Sequence, residues 1–154
     1  MKKYKKKIVS ESIVINIPFY DFDQCKLIWF GNYFKYLDVA RTKLLKKIKY
    51  DINEIEKSGM VWPVIETKCK YKKYLRYNDT IEIEASIIDY KYKLKINYTI
   101  KNKAKIVAEA HTIQIPVSGK TFKLVNSFPK KFIRAIENFK YENKKQSKII
   151  QKII

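Results

Sequence analysis

The stretch that decides the fold reads FYDFDQCKLIWFGNYFKYLDVARTKLLKK and spans residues 19–47. Two acids, Asp21 and Asp23, stand where an apolar strand pattern stops, and Gly31 precedes a helical pattern over residues 32–47. Its apolar positions recur three or four residues apart, which places them on one helix face. A carboxylate just ahead of a helix start, where backbone N–H groups lack partners, is a candidate reaction centre.

The predicted helix presents one apolar stripe. Its members fall on one side of the helix: Phe34, Leu37, Arg41, Leu44, Leu45 and Ile48. Asn32 is a residue type that commonly caps a helix start, so we expect it at the N-cap. Within the stripe, Arg41 predicts a buried or interfacial ion pair, because an arginine is almost never fully buried without a partner.

Four strand patterns follow the helix, over residues 65–72, 81–87, 93–100 and 107–114. In each, apolar residues alternate with polar ones, which is typical of an antiparallel sheet with one buried face. Residues 13–19 and 121–125 predict further strands, and Ala85, Ala108 and Ala110 would let a helix lie close to the sheet. The pattern therefore predicts an α+β fold with five or six antiparallel strands packed on one long helix.

The length of 154 residues fits a single domain over residues 1–154 with a sizeable core. Residues 1–7 read as a basic tail, a helix is predicted through about residue 139, and residues 141–154 form an extension without a certain structure. The sequence contains no long uncharged apolar run, so it predicts no membrane span. The N-terminus lacks a cleavage pattern, so we expect a cytoplasmic protein.

The stretch over residues 19–47 resembles the 4-hydroxybenzoyl-CoA thioesterase family of hotdog-fold proteins. The family pattern, roughly D-x-D-x-x-G-x-V-y-x-x-N-Y followed by a-R-t-x-l-L on a helix, is matched without a gap. The matching residues are Asp21, Asp23, Ile28, Asn32, Tyr33, Ala40, Arg41, Thr42, Leu44 and Leu45. The resemblance covers about residues 8–138. It implies a hotdog fold, in which the sheet wraps around the central helix, and hydrolysis of an acyl-CoA or acyl-carrier-protein thioester.

The resemblance also implies the roles of individual residues. Asp23 would be catalytic, either as a nucleophile or as a general base. Backbone N–H groups near Phe30 and Gly31 would bind the oxyanion. The substrate pocket would be formed by Asp21, Trp29, Asn32 and Tyr33. Basic candidates for the coenzyme A phosphates are Lys70, Lys72, Lys73 and Arg76.

Three positions depart from the family pattern. Lys26 stands where the family has glycine, Phe30 where related enzymes often carry histidine or tyrosine, and Cys25 where a small or apolar residue is usual. These departures leave a second hypothesis open, a hotdog protein that binds acyl groups without turnover. The only histidine, His111, is predicted to lie mid-strand in the core or at an interface, so a dehydratase with a histidine ahead of the helix is disfavoured.

The chain carries 34 Lys and Arg against 15 Asp and Glu, a net charge of +19. This charge favours acidic ligands, and tyrosines interleave with lysines over residues 68–77, so a nucleic-acid or anionic-surface binder is a third hypothesis. Heavy use of Lys, Ile, Asn and Tyr is also what AT-rich codons produce, so nucleic acid is the weaker expectation. The resemblance further implies a homodimer or homotetramer with a shared site. No third hard ligand accompanies Asp21 and Asp23, so we expect no metal and no cofactor.

Overall fold

The computed structural model describes residues 6–153, apart from the side chains of residues 149, 152 and 153; residues 1–5 of the expected basic tail lie outside the described residues. The strands are β1 Val9–Asn16, β2 Met60–Val61, β3 Val64–Tyr71, β4 Thr80–Asp89, β5 Leu94–Asn102, β6 Lys105–Gln114 and β7 Val117–Ser118. The helices are α1 Asn32–Lys47, α2 Ile52–Lys57 and α3 Lys130–Ile153. A single 3-10 turn, Phe19–Asp21, follows β1.

Five strands form one antiparallel sheet in the order β1-β4-β5-β6-β3, and β2 pairs with β7 separately. Helix α1 packs mainly on β1 and β4. The register places Tyr98 of β5 opposite Ala85 of β4 and Ala110 of β6, and Ala85 is fully buried. Small residues therefore line the sheet, as the sequence predicts, and a helix can lie close to it.

Helix α1 has the bounds that the sequence predicts, but its buried face is rotated from the predicted stripe. The buried residues are Tyr33, Tyr36, Leu37, Ala40, Leu44 and Leu45. Phe34 is exposed and Arg41 is half-buried, so two predicted members lie at the margin. The prediction missed Tyr33 and Tyr36 because their amphipathic rings read as polar in a simple apolar count.

The start of α1 also differs from the expectation. Gly31 occupies the N-cap position, and Asn32 is the first helical residue. The Asn32 side chain instead donates from Nδ2 to the Asp21 carbonyl oxygen at 3.0 Å. Asn32 therefore ties the helix to the preceding turn rather than capping the helix's own N–H groups.

Strand β3 does not have the one buried face that its alternating pattern predicts, since every residue except half-buried Cys69 is exposed. The reason is topological. Strand β3 is the edge strand at one end of the sheet, and α1 packs mainly on β1 and β4 at the other end. His111 is likewise not a core residue. It lies on the outer face of β6, where its Nε2 is 2.7 Å from Glu66 Oε1.

Several boundaries move relative to the sequence prediction. The strand expected over residues 13–19 lies earlier, at Val9–Asn16, because Pro18 and the 3-10 turn end it. The strand expected over residues 121–125 is only an isolated bridge between Leu124 and Val117. Helix α3 continues to Ile153, through the extension for which the sequence predicts no certain structure. Among the described residues, no helix combines the length and apolarity needed to cross a membrane.

Candidate active site

Asp23 lies at the start of a tight turn between the 3-10 segment and α1. Its carboxylate Oδ1 accepts from the backbone N–H of Cys25 at 2.8 Å and of Leu27 at 3.1 Å. The backbone closes the same turn, with Asp23 N–H donating to the Leu27 carbonyl at 2.8 Å. The side chain is exposed, and no Lys or Arg within the described residues forms an ion pair with it. The carboxylate is therefore positioned by the backbone and open to a reactant.

Asp21 is the opposite kind of carboxylate, with only 3% of its surface exposed. Lys35 Nζ donates to its two oxygens at 2.6 and 2.7 Å, and the Tyr36 hydroxyl also donates to Oδ2. Burial, and then this bond to Asp21, hold the pKa of Tyr36 well above its usual range. The Asp21 oxygens are thus occupied by α1, which fits a structural role better than direct contact with substrate.

Lys26 stands at the position where the family pattern has glycine, and the structure shows why glycine suits it. The Lys26 backbone has φ 59°, in the left-handed region that a side chain disfavours by roughly 1–2 kcal/mol. Its N–H donates to the Asp23 carbonyl at 3.0 Å, which closes the turn. The departure therefore leaves the turn geometry in place at a cost in backbone strain.

Phe30 and Gly31 lead into α1 as the sequence predicts. Within residues 6–153, neither of their N–H groups has a hydrogen-bond acceptor. A Cβ at Gly31 would lie 2.2 Å from the Trp29 ring, so a side chain there would require this ring to move. The Trp29 indole, 53% exposed, therefore covers Gly31 and contacts the Phe30 ring at 5.2 Å between centroids. Two free N–H groups beside an aromatic wall can bind a developing oxyanion.

A second wall comes from the end of β3. The Tyr71 ring meets the Tyr33 ring edge to face at 4.8 Å, and the Tyr71 hydroxyl donates to the Phe30 carbonyl oxygen at 3.2 Å. Cys69 lies two residues earlier on the strand, and burial raises the pKa of its thiol. Burial likewise raises the pKa of Tyr33 to about 12. These groups are therefore neutral at ordinary pH.

A cavity of about 130 Å³ lies beside α1, between the helix and the strands. It is lined by Phe34, Leu37, Asp38, Arg41, Val64, Thr67, Tyr98 and Thr112. The Tyr98 and Thr112 hydroxyls are hydrogen-bonded to each other at 3.2 Å. Arg41 pairs with Asp38 one turn earlier at the wall of this cavity, but the pair is not buried, because the Asp38 side chain is 61% exposed.

The basic segment predicted to contact coenzyme A begins within β3, at Lys70, and continues past the end of the strand. Lys70, Lys73 and Arg76 are exposed and have no acidic side-chain partner within the described residues, whereas Lys72 pairs with Glu109 at 2.6 Å. Tyr77, one of the interleaved tyrosines, packs against Phe19 and Phe22. Trp62, the second tryptophan of the chain, is buried among Tyr50, Phe128 and Phe132.

Three side chains at the site escaped the sequence prediction: Lys35, Tyr36 and Tyr71. Lys35 and Tyr36 lie one turn into α1, where a polar residue reads as solvated, and nothing local links them to Asp21. Tyr71 reaches Phe30 from 41 residues further along the chain. Only the sheet topology brings that contact about, so no sequence spacing could reveal it.

The sequence and the fold of this chain are similar to those of known proteins. A sequence profile of the thioesterase-like superfamily matches residues 17–136. A Bacillus subtilis (strain 168) protein, provisionally named an acyl-CoA thioesterase, is 31% identical over 71% of this chain and 80% of its own length. The fold of the present chain resembles that of the DHNA-CoA thioesterase from Staphylococcus aureus, with a TM-score of 0.79 and 22% identity over 89% of this chain and 95% of that one.

The 4-hydroxybenzoyl-CoA thioesterase from Pseudomonas sp. strain CBS-3 is also similar, with a TM-score of 0.74 and 19% identity over 82% of this chain and 99% of that one. These likenesses confirm the α+β hotdog fold that the sequence predicts: an antiparallel sheet packed on a central helix, with a long C-terminal helix added.

Proposed function

Because the chain belongs to the thioesterase-like superfamily, we propose that it hydrolyses an acyl-CoA or acyl-carrier-protein thioester to a free acid and a thiol. The observation that carries this proposal is an exposed carboxylate held by the backbone, Asp23, followed in the chain by two free N–H groups at Phe30 and Gly31. Acyl transfer needs both an attacking base or nucleophile and an oxyanion donor.

The reaction begins with attack on the thioester carbonyl carbon. Either a carboxylate oxygen of Asp23 forms the new C–O bond, or Asp23 takes a proton from a water whose oxygen forms it. The carbonyl π electrons move onto the oxygen, which the N–H groups of Phe30 and Gly31 stabilise. When this intermediate collapses, the C–S bond breaks and the electron pair leaves on the thiolate. In the nucleophilic route, water then hydrolyses the aspartyl–acyl anhydride and regenerates Asp23.

The fixed position of Asp23 supports its role in either route. Two backbone N–H bonds hold the Oδ1 oxygen, which leaves the other carboxylate oxygen to face the reactant. Asp21 cannot substitute, because Lys35 and Tyr36 occupy both of its oxygens. This difference favours Asp23 over Asp21 as the catalytic carboxylate, the nucleophile or general base of the reaction.

The proposal includes assembly into a homodimer or homotetramer through the β3 edge. Strand β3 presents an unpaired edge with exposed Val64 and Ile65 beside it. Open edges of this kind invite pairing with another strand. The cavity beside α1 has Val64 and Thr67 of β3 in its lining, so a second copy at this edge would close it. Sedimentation analysis tests the assembly, and a monomer at assay concentrations would refute it.

Coenzyme A recognition is proposed for the exposed cations at Lys70, Lys73 and Arg76. The triple variant with alanine at these positions should raise KM for an acyl-CoA several-fold, since each phosphate contact is charge-assisted. KM for the matching acyl-pantetheine, which has no nucleotide, should stay unchanged. Equal KM changes for both esters would remove these residues from nucleotide recognition.

The central test is a thiol-release assay on short, long and aromatic acyl-CoA esters and on acyl carrier protein. Wild type should release thiol from at least one ester, and Asp23→Asn should not. The matched control is Asp51→Asn, because Asp51 also accepts from two backbone N–H groups, at Asn53 and Glu54, but lies beyond the far end of α1. No release by folded wild type would refute the proposal and favour acyl binding without turnover.

A single-turnover reaction in oxygen-18 water tests for a nucleophilic role of Asp23, because label appears in this residue only by that route. A general base sends the labelled water oxygen into the acid product. A nucleophile whose anhydride is opened at the aspartyl carbon instead leaves the label in Asp23, where mass spectrometry of the peptide containing it would find it.

A further inference from the structure

The peptide unit between Phe30 and Gly31 has partners at one end only. Its carbonyl oxygen, on Phe30, accepts from the Tyr71 hydroxyl at 3.2 Å and from the Tyr33 backbone N–H at 3.3 Å. Its N–H, on Gly31, has no acceptor within residues 6–153. Because an amide is planar and conjugated, bonds to the oxygen fix the direction of the N–H.

Such bonds also change the donor strength of the N–H. Hydrogen bonds in a chain polarise one another, with strengthening of perhaps 10–30% per bond. An amide whose oxygen accepts a bond draws electron density from its nitrogen, so its N–H becomes a better donor. The Gly31 N–H is therefore both aimed and strengthened before a ligand arrives.

Tyr71 is held so that its hydroxyl keeps this bond. Its ring packs on the buried Tyr33 ring, and its backbone lies in the β3 ladder opposite Ala108. Burial, followed by the neighbouring Cys69 thiol, raises the pKa of Tyr71 to about 12, so the hydroxyl remains a donor at ordinary pH.

We propose that Tyr71 is a positioning residue: through the Phe30 carbonyl, its hydroxyl orients and polarises the Gly31 N–H that binds the oxyanion. This inference rests on the proposed thioesterase function and adds to it a residue supplied by a distant strand. Tyr71 acts through the peptide unit, so it should affect the transition state more than substrate binding.

The kinetic test is Tyr71→Phe, which removes the hydroxyl and keeps the ring against Tyr33. If the bond is worth as much as a typical neutral hydrogen bond, kcat should fall roughly threefold to tenfold. KM should change by less than about twofold, because ground-state contacts are retained. Tyr92→Phe is the control, since Tyr92 is 78% exposed between β4 and β5 and should leave both constants unchanged.

A spectroscopic test reads the same peptide unit without any substrate. Phe30–Gly31 is the only Phe–Gly pair in the chain, so labelling phenylalanine carbonyls with carbon-13 and glycine with nitrogen-15 selects this one peptide. In Tyr71→Phe, both the Phe30 carbonyl carbon and the Gly31 nitrogen should move upfield, because the withdrawing hydrogen bond is lost. In Tyr92→Phe they should not move.

The two readouts together decide the inference. A fall in kcat with a shifted peptide signal supports it. Unmoved signals show that Tyr71 does not polarise this amide, and a shifted signal with unchanged kcat shows that the polarisation has no catalytic consequence; either result overturns the inference. A wild type that hydrolyses no thioester would instead refute the proposed function and the catalytic part with it, while the peptide signal still tests the hydrogen bond.

Discussion

Asp21 and Asp23 are two residues apart in one motif, yet the fold gives them opposite environments. Asp21 is buried and bound by Lys35 and Tyr36, whereas Asp23 is exposed and bound only by backbone N–H groups. The side chain that α1 neutralises contributes to folding, and the one that α1 leaves alone is free for chemistry. The difference shows that the partners of a carboxylate, more than its place in a motif, decide its role.

The largest expected effect is on catalysis by Asp23→Asn. The amide keeps an oxygen for the N–H groups of Cys25 and Leu27, so the turn should persist while the base or nucleophile is lost. We expect kcat to fall by about 10²–10⁴ with little change in the melting temperature. Steady-state kinetics beside circular dichroism checks this, and a fully active folded variant would erase the contrast with Asp21.

Asp21→Asn should give the converse result, a loss of stability with activity retained. The substitution removes the charge that Lys35 and Tyr36 bind in a buried site, which should cost about 1–3 kcal/mol of unfolding free energy. Urea denaturation measures this cost. Activity per folded molecule should stay within about threefold of wild type. A stable but inactive Asp21→Asn would mean that the roles of the two acids are reversed.

The decrease of the unfolding free energy at high pH also distinguishes the environments of Asp21 and Asp23. The folded state holds the pKa of Tyr36 above its ordinary value, so the unfolded chain loses this proton first as the pH rises. The contribution is fully present below pH of about 10 and is lost above it, by up to about 1.4 kcal/mol per pH unit for one proton. Tyr36→Phe should make the fall in unfolding free energy shallower, and Asp23→Asn should leave its slope unchanged. Denaturation midpoints between pH 8 and 12, roughly the tyrosine range, provide the measurement.

The smallest effect is expected at the turn that positions Asp23. Lys26→Gly relieves a left-handed backbone but makes the unfolded chain more flexible, so the net gain in unfolding free energy should be below about 1 kcal/mol. Lys26→Gly should not affect the contacts of Asp21 with Lys35 and Tyr36. The changes in unfolding free energy of Lys26→Gly and Asp21→Asn should therefore add in the double variant, which thermal unfolding measures. A lower unfolding free energy for Lys26→Gly would show that the lysine side chain makes a stabilising contact that outweighs the backbone strain.

Where hydrophobic periodicity and burial agree, the sequence predicts the structure closely. Helix α1 has the predicted bounds, and the apolar face of β4, from Ile81 to Ile87, is buried as its alternation indicates. Where a strand forms the sheet edge, the same alternation misleads. The pattern of β3 cannot reveal that α1 packs mainly on β1 and β4, at the other end of the sheet. Likewise, the pattern of β6 cannot reveal that His111 faces outward to Glu66.

The candidate site shows a similar division. The motif identifies the turn and the helix start because both are local in the chain. The partners of Asp21 come from α1, 14 and 15 residues further along the chain, and the side-chain partner of the Phe30 carbonyl comes from β3, 41 residues further along. Long-range contacts of this kind follow from topology, so one sequence without its fold cannot supply them.

The Trp29 indole lies over Gly31, while Trp62 is enclosed by aromatic rings with only 7% of its surface exposed. The two tryptophans therefore report on different regions of the protein, Trp29 on the candidate site and Trp62 on the core. Emission from Trp29 should respond within a stopped-flow trace when an acyl group or an oxyanion mimic settles against the Gly31 amide. Emission from Trp62 should hold steady until the core itself opens, which makes it an internal optical reference for every kinetic experiment on this chain.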